Sequence, residues 1–265
     1  MTPSHHTALD AIIAALRNDP RIVGAAAGGS YASAAMDDYS DLDLVIAVEP
    51  NDYAEVMAAR KTIAATLGQL LSAFTGEHVG EPRLLICLYE SPLMHVDLKF
   101  VSLDDAGMGR VEDPVVVWER DGRLSAALRQ GTARYPEPNP QWIEDRFWIW
   151  THYCASKIGR GELFEALDFL AFIRSQVLGP LALIANGARP SGVRKIEMHA
   201  PEFAAELEAT IAQHTNASCL AALEAAVSLY LELRTSYAGA IDCDEHTRVR
   251  VMEYLAEVGT AIQPL

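Results

Sequence analysis

The chain is poor in cysteine, and its few cysteines form no metal-binding or disulfide pattern. Four cysteines occur among 265 residues, and no two of them form a Cys-x-x-Cys pair. Isolated cysteines are typical of reduced thiols in a cytoplasmic protein rather than of a disulfide framework or a zinc site. No secretory-type apolar segment follows the N-terminus, and no run reaches the roughly 18 uncharged apolar residues that cross a bilayer. We therefore expect a cytoplasmic protein without a membrane partner.

Positive charge is also scarce. The chain has 21 lysines and arginines against 36 acidic residues, which gives a formal net charge of −15. Such a balance repels nucleic-acid backbones and anionic membranes and favours a cationic partner. We therefore expect no long nucleic acid as a partner. Half of the residues are hydrophobic, and the length is ample for one large or two modest folded domains.

An acidic pair opens one of the predicted strands. Asp41 and Asp43 flank Leu42 at the start of an apolar run over residues 44–48. Strand alternation places both carboxylates on one face of a sheet, with their Cα atoms about 6.6 Å apart. Carboxylates at this spacing can converge on divalent cations, which lie roughly 3.5–4 Å apart in two-metal sites. The pair therefore predicts a Mg²⁺ site.

A glycine-rich turn precedes the acidic pair. Gly28, Gly29 and Ser30 follow a short apolar strand. Paired glycines let a backbone approach a phosphate closely, and Ser30 adds a hydroxyl donor beside main-chain N–H groups. Either motif alone is typical of an ordinary turn or of a solvated strand end. In this order they suit one ligand, a nucleoside triphosphate with Mg²⁺.

The two motifs together resemble the signature of the polymerase-beta-like nucleotidyltransferase superfamily. In that family a Gly-Ser pair precedes an acidic pair by about this interval. Residues 40–44 (Ser-Asp-Leu-Asp-Leu) match the sequence pattern of the family's acidic motif closely. The resemblance is specific over residues 22–48. It implies that the Gly28–Ser30 turn holds the nucleotide phosphates while Asp41 and Asp43 bind Mg²⁺ and take part in catalysis.

The same resemblance implies a third carboxylate on a neighbouring strand, and Asp97 is the candidate. Alternation within the strand predicted over residues 93–101 places His95 and Asp97 on one face. The resemblance leaves two catalytic roles open for Asp97. It is a further metal ligand, the general base that takes the proton from the attacking hydroxyl, or both.

Three prolines within residues 136–140 predict a domain boundary. Residues 1–130 alternate predicted strands and helices, including a long helix over residues 53–74, and form the expected catalytic domain. Residues 139–265 have helical patterns throughout and form the expected substrate-binding domain. The predicted fold class is α+β, with a small mixed-sheet nucleotidyltransferase domain followed by an α-helical bundle.

A short basic segment joins two predicted helices of the second domain. Lys157 and Arg160 could reach triphosphate oxygens. Glu162 and Glu165 lie three residues apart on a helix and could receive an amino group of the substrate. Basic residues near a helix C-terminus and acidic residues near an N-terminus also complement the helix dipole, so both interpretations stay open.

The overall layout resembles the aminoglycoside and lincosamide antibiotic adenylyltransferases. This resemblance implies transfer of AMP from ATP, with Mg²⁺, to a hydroxyl of a small cationic acceptor such as an aminoglycoside. Pyrophosphate is then released, and antibiotic resistance is the implied role. Two alternatives remain open at this point: a protein hydroxyl as acceptor, as in toxin–antitoxin nucleotidyltransferases, or a non-catalytic nucleotide-binding regulator.

Overall fold

The computed structural model describes residues 2–262 and divides into two compact units, one up to Tyr135 and one from Pro136 onwards. We call them the sheet unit and the helical unit. The sheet unit contains α1 (Pro3–Leu16), β1 (Ile22–Ala27), α2 (Gly29–Ala32), β2 (Leu42–Val48), α3 (Tyr53–Thr66), β3 (Leu70–Gly76), β4 (Glu81–Tyr89), β5 (Met94–Ser102), β6 (Val115–Glu119) and α4 (Arg123–Leu128).

The six strands form one mixed sheet in the order β3-β4-β5-β2-β1-β6. Strands β2 and β5 run parallel, and every other neighbouring pair is antiparallel. Over residues 42–46 of β2 and 94–100 of β5, buried apolar residues alternate with less buried ones, which are polar except for Val45, as expected where one face packs on the core. The parallel pair brings the N-terminal ends of β2 and β5 together, and the predicted acidic residues lie toward these ends.

The helix predicted over residues 53–74 is wrong in its second half. Helix α3 ends at Thr66, and residues from Leu70 form β3, an edge strand that pairs only with β4. Leu71 and Phe74 of this strand are each 50% exposed. Because an edge strand needs no clean alternation of buried and exposed residues, its apolar side chains gave a pattern that a helix fits equally well.

The helical unit consists of α5 (Pro140–Gly159), α6 (Leu163–Ile173), a π-helical turn (Arg174–Leu178), α7 (Gly179–Ala185), α8 (Ile196–His199), α9 (Pro201–Leu207), α10 (Asn216–Thr235) and α11 (Glu245–Ala261). Its buried side chains make one continuous apolar core. The predicted fold class, a mixed-sheet part followed by a helical part, is confirmed.

A buried carboxylate ties α5 to α10 in this unit. Glu144 is 3% exposed and accepts hydrogen bonds from Trp148 Nε1 at 3.0 Å, Tyr230 Oη at 2.5 Å and Arg234 Nη1 at 2.7 Å. Arg234 also donates to Glu245 of α11 at 2.9 Å. Charged hydrogen bonds of this kind compensate the cost of burying the carboxylate, so Glu144 and Arg234 together connect three helices.

Within residues 2–262, one helical stretch, Leu163–Ala185, is long and apolar enough to cross a membrane by length and composition. It contains Glu165, Asp168 and Arg174. Half of its most apolar window is buried within the protein, where its apolar side chains belong to the core of the helical unit. The stretch therefore packs as a core helix.

Candidate active site

The centre of the candidate site is the parallel pairing of β2 with β5. This register places Asp43 directly beside Asp97, and adjacent strands lie about 4.8 Å apart. Asp41 immediately precedes β2, and its charge acts on the carboxyl group of Asp97. The carboxylates of Asp43 and Asp97, from separate strands, therefore lie side by side. A third carboxylate, that of Asp41, belongs to the residue just before β2.

The surroundings of Asp97 shift its pKa. Burial raises its pKa above the usual aspartate value, a hydrogen bond with His95 lowers it, and the negative charge of Asp41 raises it further. The His95 Nε2 atom lies 2.8 Å from Asp97 Oδ1. The net raised pKa makes Asp97 a better proton acceptor than an ordinary exposed aspartate.

Lys99 lies two residues further along the same face of β5, but its ion pair is made elsewhere. Its ammonium group is 2.7 Å from Glu81 Oε2, and Arg83 also pairs with that carboxylate at 2.7 Å. Both cations hold the pKa of Glu81 at about 2, against opposition from burial. The positive charge of Lys99 is therefore committed to Glu81 rather than to the acidic group at Asp43 and Asp97.

The glycine turn lies directly against Asp43. The Gly28 N–H donates to the backbone oxygen of Asp43 at 2.9 Å, which ties the end of β1 to β2. Gly29 has a φ of +55°, and a Cβ added there would lie 2.1 Å from Asp43 Oδ2. Only glycine combines this left-handed backbone with so close a carboxylate. The two motifs predicted from the sequence therefore meet in space.

Ser30 contributes a hydroxyl that lacks a partner within residues 2–262. Its Oγ atom is buried and makes no hydrogen bond. A buried hydroxyl without a partner costs about 1–3 kcal/mol, so a ligand oxygen that accepts from it would recover this cost. The hydroxyl follows Gly29 directly in the chain, which suits the phosphate oxygens expected at this turn.

Glu112 also belongs to this environment, although the sequence analysis did not include it. The Gly29 N–H donates to Glu112 Oε1 at 2.7 Å, across 83 residues of chain. A single glutamate in the loop before β6 carries no local signal. Only the pairing of β6 with β1, which sets Val115 opposite Ala27, could have indicated that this loop reaches the turn.

The donor set of the site fits a Mg²⁺ ion that also binds substrate. Carboxylate oxygens are the ligands that Mg²⁺ prefers, and it is usually held by one or two carboxylates plus phosphate oxygens and water rather than by an all-protein cage. Within residues 2–262, no group of three or more acidic, histidine or cysteine side chains is arranged to hold a metal by itself. The adjacent Asp43 and Asp97, with Asp41 nearby, match an arrangement in which phosphate oxygens of the substrate complete the coordination of the cation.

The four residues predicted in the second domain lie together in the helical unit and bond to one another. Lys157 Nζ donates to Glu162 Oε2 at 2.6 Å and lies 3.0 Å from Glu165 Oε2. Arg160 Nη1 is 3.4 Å from Glu162 Oε1, and Tyr153 donates to Glu165. A phosphate or an amino group that binds here must first replace these ion pairs, so their ligand roles remain predictions.

The close contact between Gly29 and Asp43 gives a direct test of the turn. Gly29→Ala should lower any nucleotide-dependent activity by about 100-fold or more, because the new Cβ displaces the Asp43 carboxylate from its position. Gly80→Ala is the matched control, since Gly80 has a φ of +74° but no atom within 4 Å of an added Cβ. The control should lose about 1 kcal/mol of stability through backbone strain and keep its activity. Equal activity in both variants would contradict the assigned role of the turn.

No protein-family model and no curated protein matches the chain. Among solved structures, it is similar to an aminoglycoside 6-adenyltransferase from Bacillus subtilis, with 15% identity, a TM-score of 0.40 and coverage of 97% of this chain and 99% of that one. It is also similar to a nucleotidyltransferase-like protein from Exiguobacterium sibiricum, with 14% identity, a TM-score of 0.39 and coverage of 86% and 75%.

A third similar structure is a STING-associated CdnE c-di-GMP synthase from Capnocytophaga granulosa. Its identity is 13%, its TM-score is 0.32, and the match covers 88% of this chain and 81% of that one.

Proposed function

We propose that the chain is a nucleotidyltransferase that moves AMP from ATP to a hydroxyl of a small molecule and releases pyrophosphate. The observation that carries this proposal is the meeting of three features at one place. The glycine turn carries the unpartnered Ser30 hydroxyl and contacts Asp43, and Asp43 lies in register beside Asp97. A phosphate cradle next to paired carboxylates suits a nucleoside triphosphate with a divalent cation.

Each residue has a defined task in this proposal. The backbone of Gly29 and the Ser30 hydroxyl hold the β- and γ-phosphates, and Asp41 and Asp43 hold the cation. Bound Mg²⁺ would supply charge neutralisation at the phosphates. Asp97 accepts the proton of the acceptor hydroxyl at a carboxylate oxygen, and His95 keeps that carboxylate oriented through its 2.8 Å contact.

The reaction is an in-line displacement at the α-phosphorus. The acceptor oxygen forms a bond to that phosphorus while the bond to pyrophosphate breaks, and the released proton passes to Asp97. Positioning and electrostatic stabilisation are sufficient for such a transfer, without a covalent enzyme intermediate. The raised pKa of Asp97 supports its role as the base.

An aminoglycoside-type molecule is the acceptor we propose. The net charge of −15 favours a polycationic ligand over an anionic one, and Glu162 and Glu165 would receive its amino groups in exchange for Lys157. Antibiotic resistance is then the proposed role. A reducing cytoplasm is the proposed location. The four cysteines are free thiols, so the fold does not depend on disulfide bonds.

A panel assay tests this function. Pyrophosphate release and transfer of label from [α-³²P]ATP should be measured with Mg²⁺ and a series of aminoglycosides and lincosamides. We expect label on at least one drug with wild-type protein and none with Asp41→Asn. Label on a protein instead of a drug would favour the toxin-type alternative. No transfer to any acceptor, with ATP still bound, would favour the regulator.

A further inference from the structure

Glu112 makes an unusual contact for a residue in a nucleotide site. Its Oε1 atom accepts the Gly29 N–H at 2.7 Å and would lie 2.8 Å from a Cβ added at Gly28. A carboxylate therefore occupies the side of the turn at which the proposed function expects a phosphate oxygen. Carboxylate and phosphate oxygens are both anionic acceptors of backbone N–H groups, so they compete for the same donor.

The fold explains why Glu112 reaches this turn. Strands β1 and β6 are antiparallel, and Val115 at the start of β6 pairs with Ala27 at the end of β1. The residues just before Val115 therefore pass beside the residues just after Ala27. Glu112 arrives at Gly29 by this register, so its contact follows from the sheet rather than from a chance position of a surface side chain.

The loop that carries Glu112 is held at its base. Arg110 Nη1 donates to the backbone oxygens of Gly107 at 3.2 Å and Leu128 at 2.8 Å. Its Nη2 atom donates to the backbone oxygen of Gly131 and to Asp113 Oδ1, both at 2.8 Å. The Arg110 side chain is only 10% exposed. Because the loop backbone is fixed, release of the Gly29 N–H requires rotation of the Glu112 side chain rather than movement of the loop.

We propose that Glu112 is a further residue of the nucleotide site, one that competes with the incoming phosphates for the Gly29 N–H and thereby weakens nucleotide binding. This inference rests on the proposed function. Glu112 and Asp43 both lie against the glycine turn, so a bare polyanion meets two negative charges there. A nucleoside triphosphate that arrives with a divalent cation carries less net charge and displaces Glu112 more readily.

The test is the affinity for an ATP analogue with a methylene group between the α- and β-phosphorus, measured by calorimetry with Mg²⁺. Glu112→Ala should bind the analogue about tenfold more tightly than wild type, because the competing charged hydrogen bond is removed. Glu112→Gln keeps the shape and the acceptor oxygen but loses the charge, so it should show a smaller gain. Thermal unfolding of both variants should remain cooperative, with a lower midpoint for Glu112→Ala because the Gly29 N–H loses its acceptor.

Asp104→Asn is the matched control. It also removes one negative charge from the sheet unit. Asp104 follows the C-terminal end of β5, and Asp43 lies near the N-terminal end of the parallel β2, so the two residues lie at opposite ends of these strands. The control should bind as wild type does. Equal or weaker binding by Glu112→Ala, with wild type still binding, overturns the competition but leaves the proposed function intact. Absence of binding in wild type and all variants overturns both.

Discussion

Asp43→Asn should reduce nucleotidyl transfer by about 1,000-fold or more while the fold remains intact. The substitution removes the charge that a divalent cation needs at this position, and a metal supplies several kcal/mol of charge stabilisation in such reactions. Because Asp43 pairs in register with Asp97, its neutralisation also relieves repulsion between like charges. We therefore expect a thermal unfolding midpoint equal to or above that of wild type, measured together with the rate.

Asp38→Asn provides the comparison for this variant. Asp38 is an exposed acid in the segment before β2, so the control removes the same charge without touching the site. It should transfer at the wild-type rate. A transfer rate of Asp43→Asn within tenfold of this control, at saturating metal and nucleotide, would show that Asp43 is not part of the catalytic machinery.

Glu144→Ala should lower the free energy of unfolding of the helical unit by about 3–5 kcal/mol. Removal of the carboxylate leaves Arg234, which is 15% exposed, without its buried counter-ion, and breaking a buried ion pair on one side typically has this cost. The hydroxyl of Tyr230 and the indole N–H of Trp148 lose their acceptor as well. Urea unfolding followed by tryptophan fluorescence reports on this unit, because three of the four tryptophans lie in it.

Two further variants define the range of this effect. Glu253→Ala removes an exposed carboxylate that pairs with Arg250 on α11, and it should change stability by about 0.5 kcal/mol or less. Glu144→Gln retains an acceptor for part of the network, so its loss of stability should lie between those of Glu144→Ala and Glu253→Ala. A loss in Glu144→Ala no larger than that in Glu253→Ala would contradict the stabilising role of the buried network.

The site could be predicted from the sequence where its signals are local. The acidic pair and the glycine turn are short motifs, and the alternation in β5 correctly put His95 and Asp97 on one face. The resemblance to the nucleotidyltransferase superfamily, rather than a local pattern, implied that Asp97 lies on a neighbouring strand. Its register opposite Asp43 depends on a parallel pairing across more than fifty residues, which no local pattern specifies.

Features that depend on distant contacts were missed. Strand β3 was assigned to a helix because, at the edge of the sheet, half-exposed apolar residues alternate weakly. Glu112 was missed because it acts through the β1–β6 register. The ion pairs of Lys157 with Glu162 and Glu165 are local contacts and were missed for another reason. The spacing alone allowed each residue to bind a ligand independently.

The metal dependence of nucleotide binding tests the central assignment most directly. The wild-type chain should be titrated with the methylene analogue of ATP by calorimetry, once with Mg²⁺ and once with excess chelator, beside Asp43→Asn. We predict micromolar binding that needs the metal, because a bare triphosphate is repelled by Asp41, Asp43 and Asp97. Binding should be weaker in the variant, which lacks one of the carboxylates that hold the cation. Binding of equal strength with and without metal, or in Asp43→Asn, would contradict the site described above.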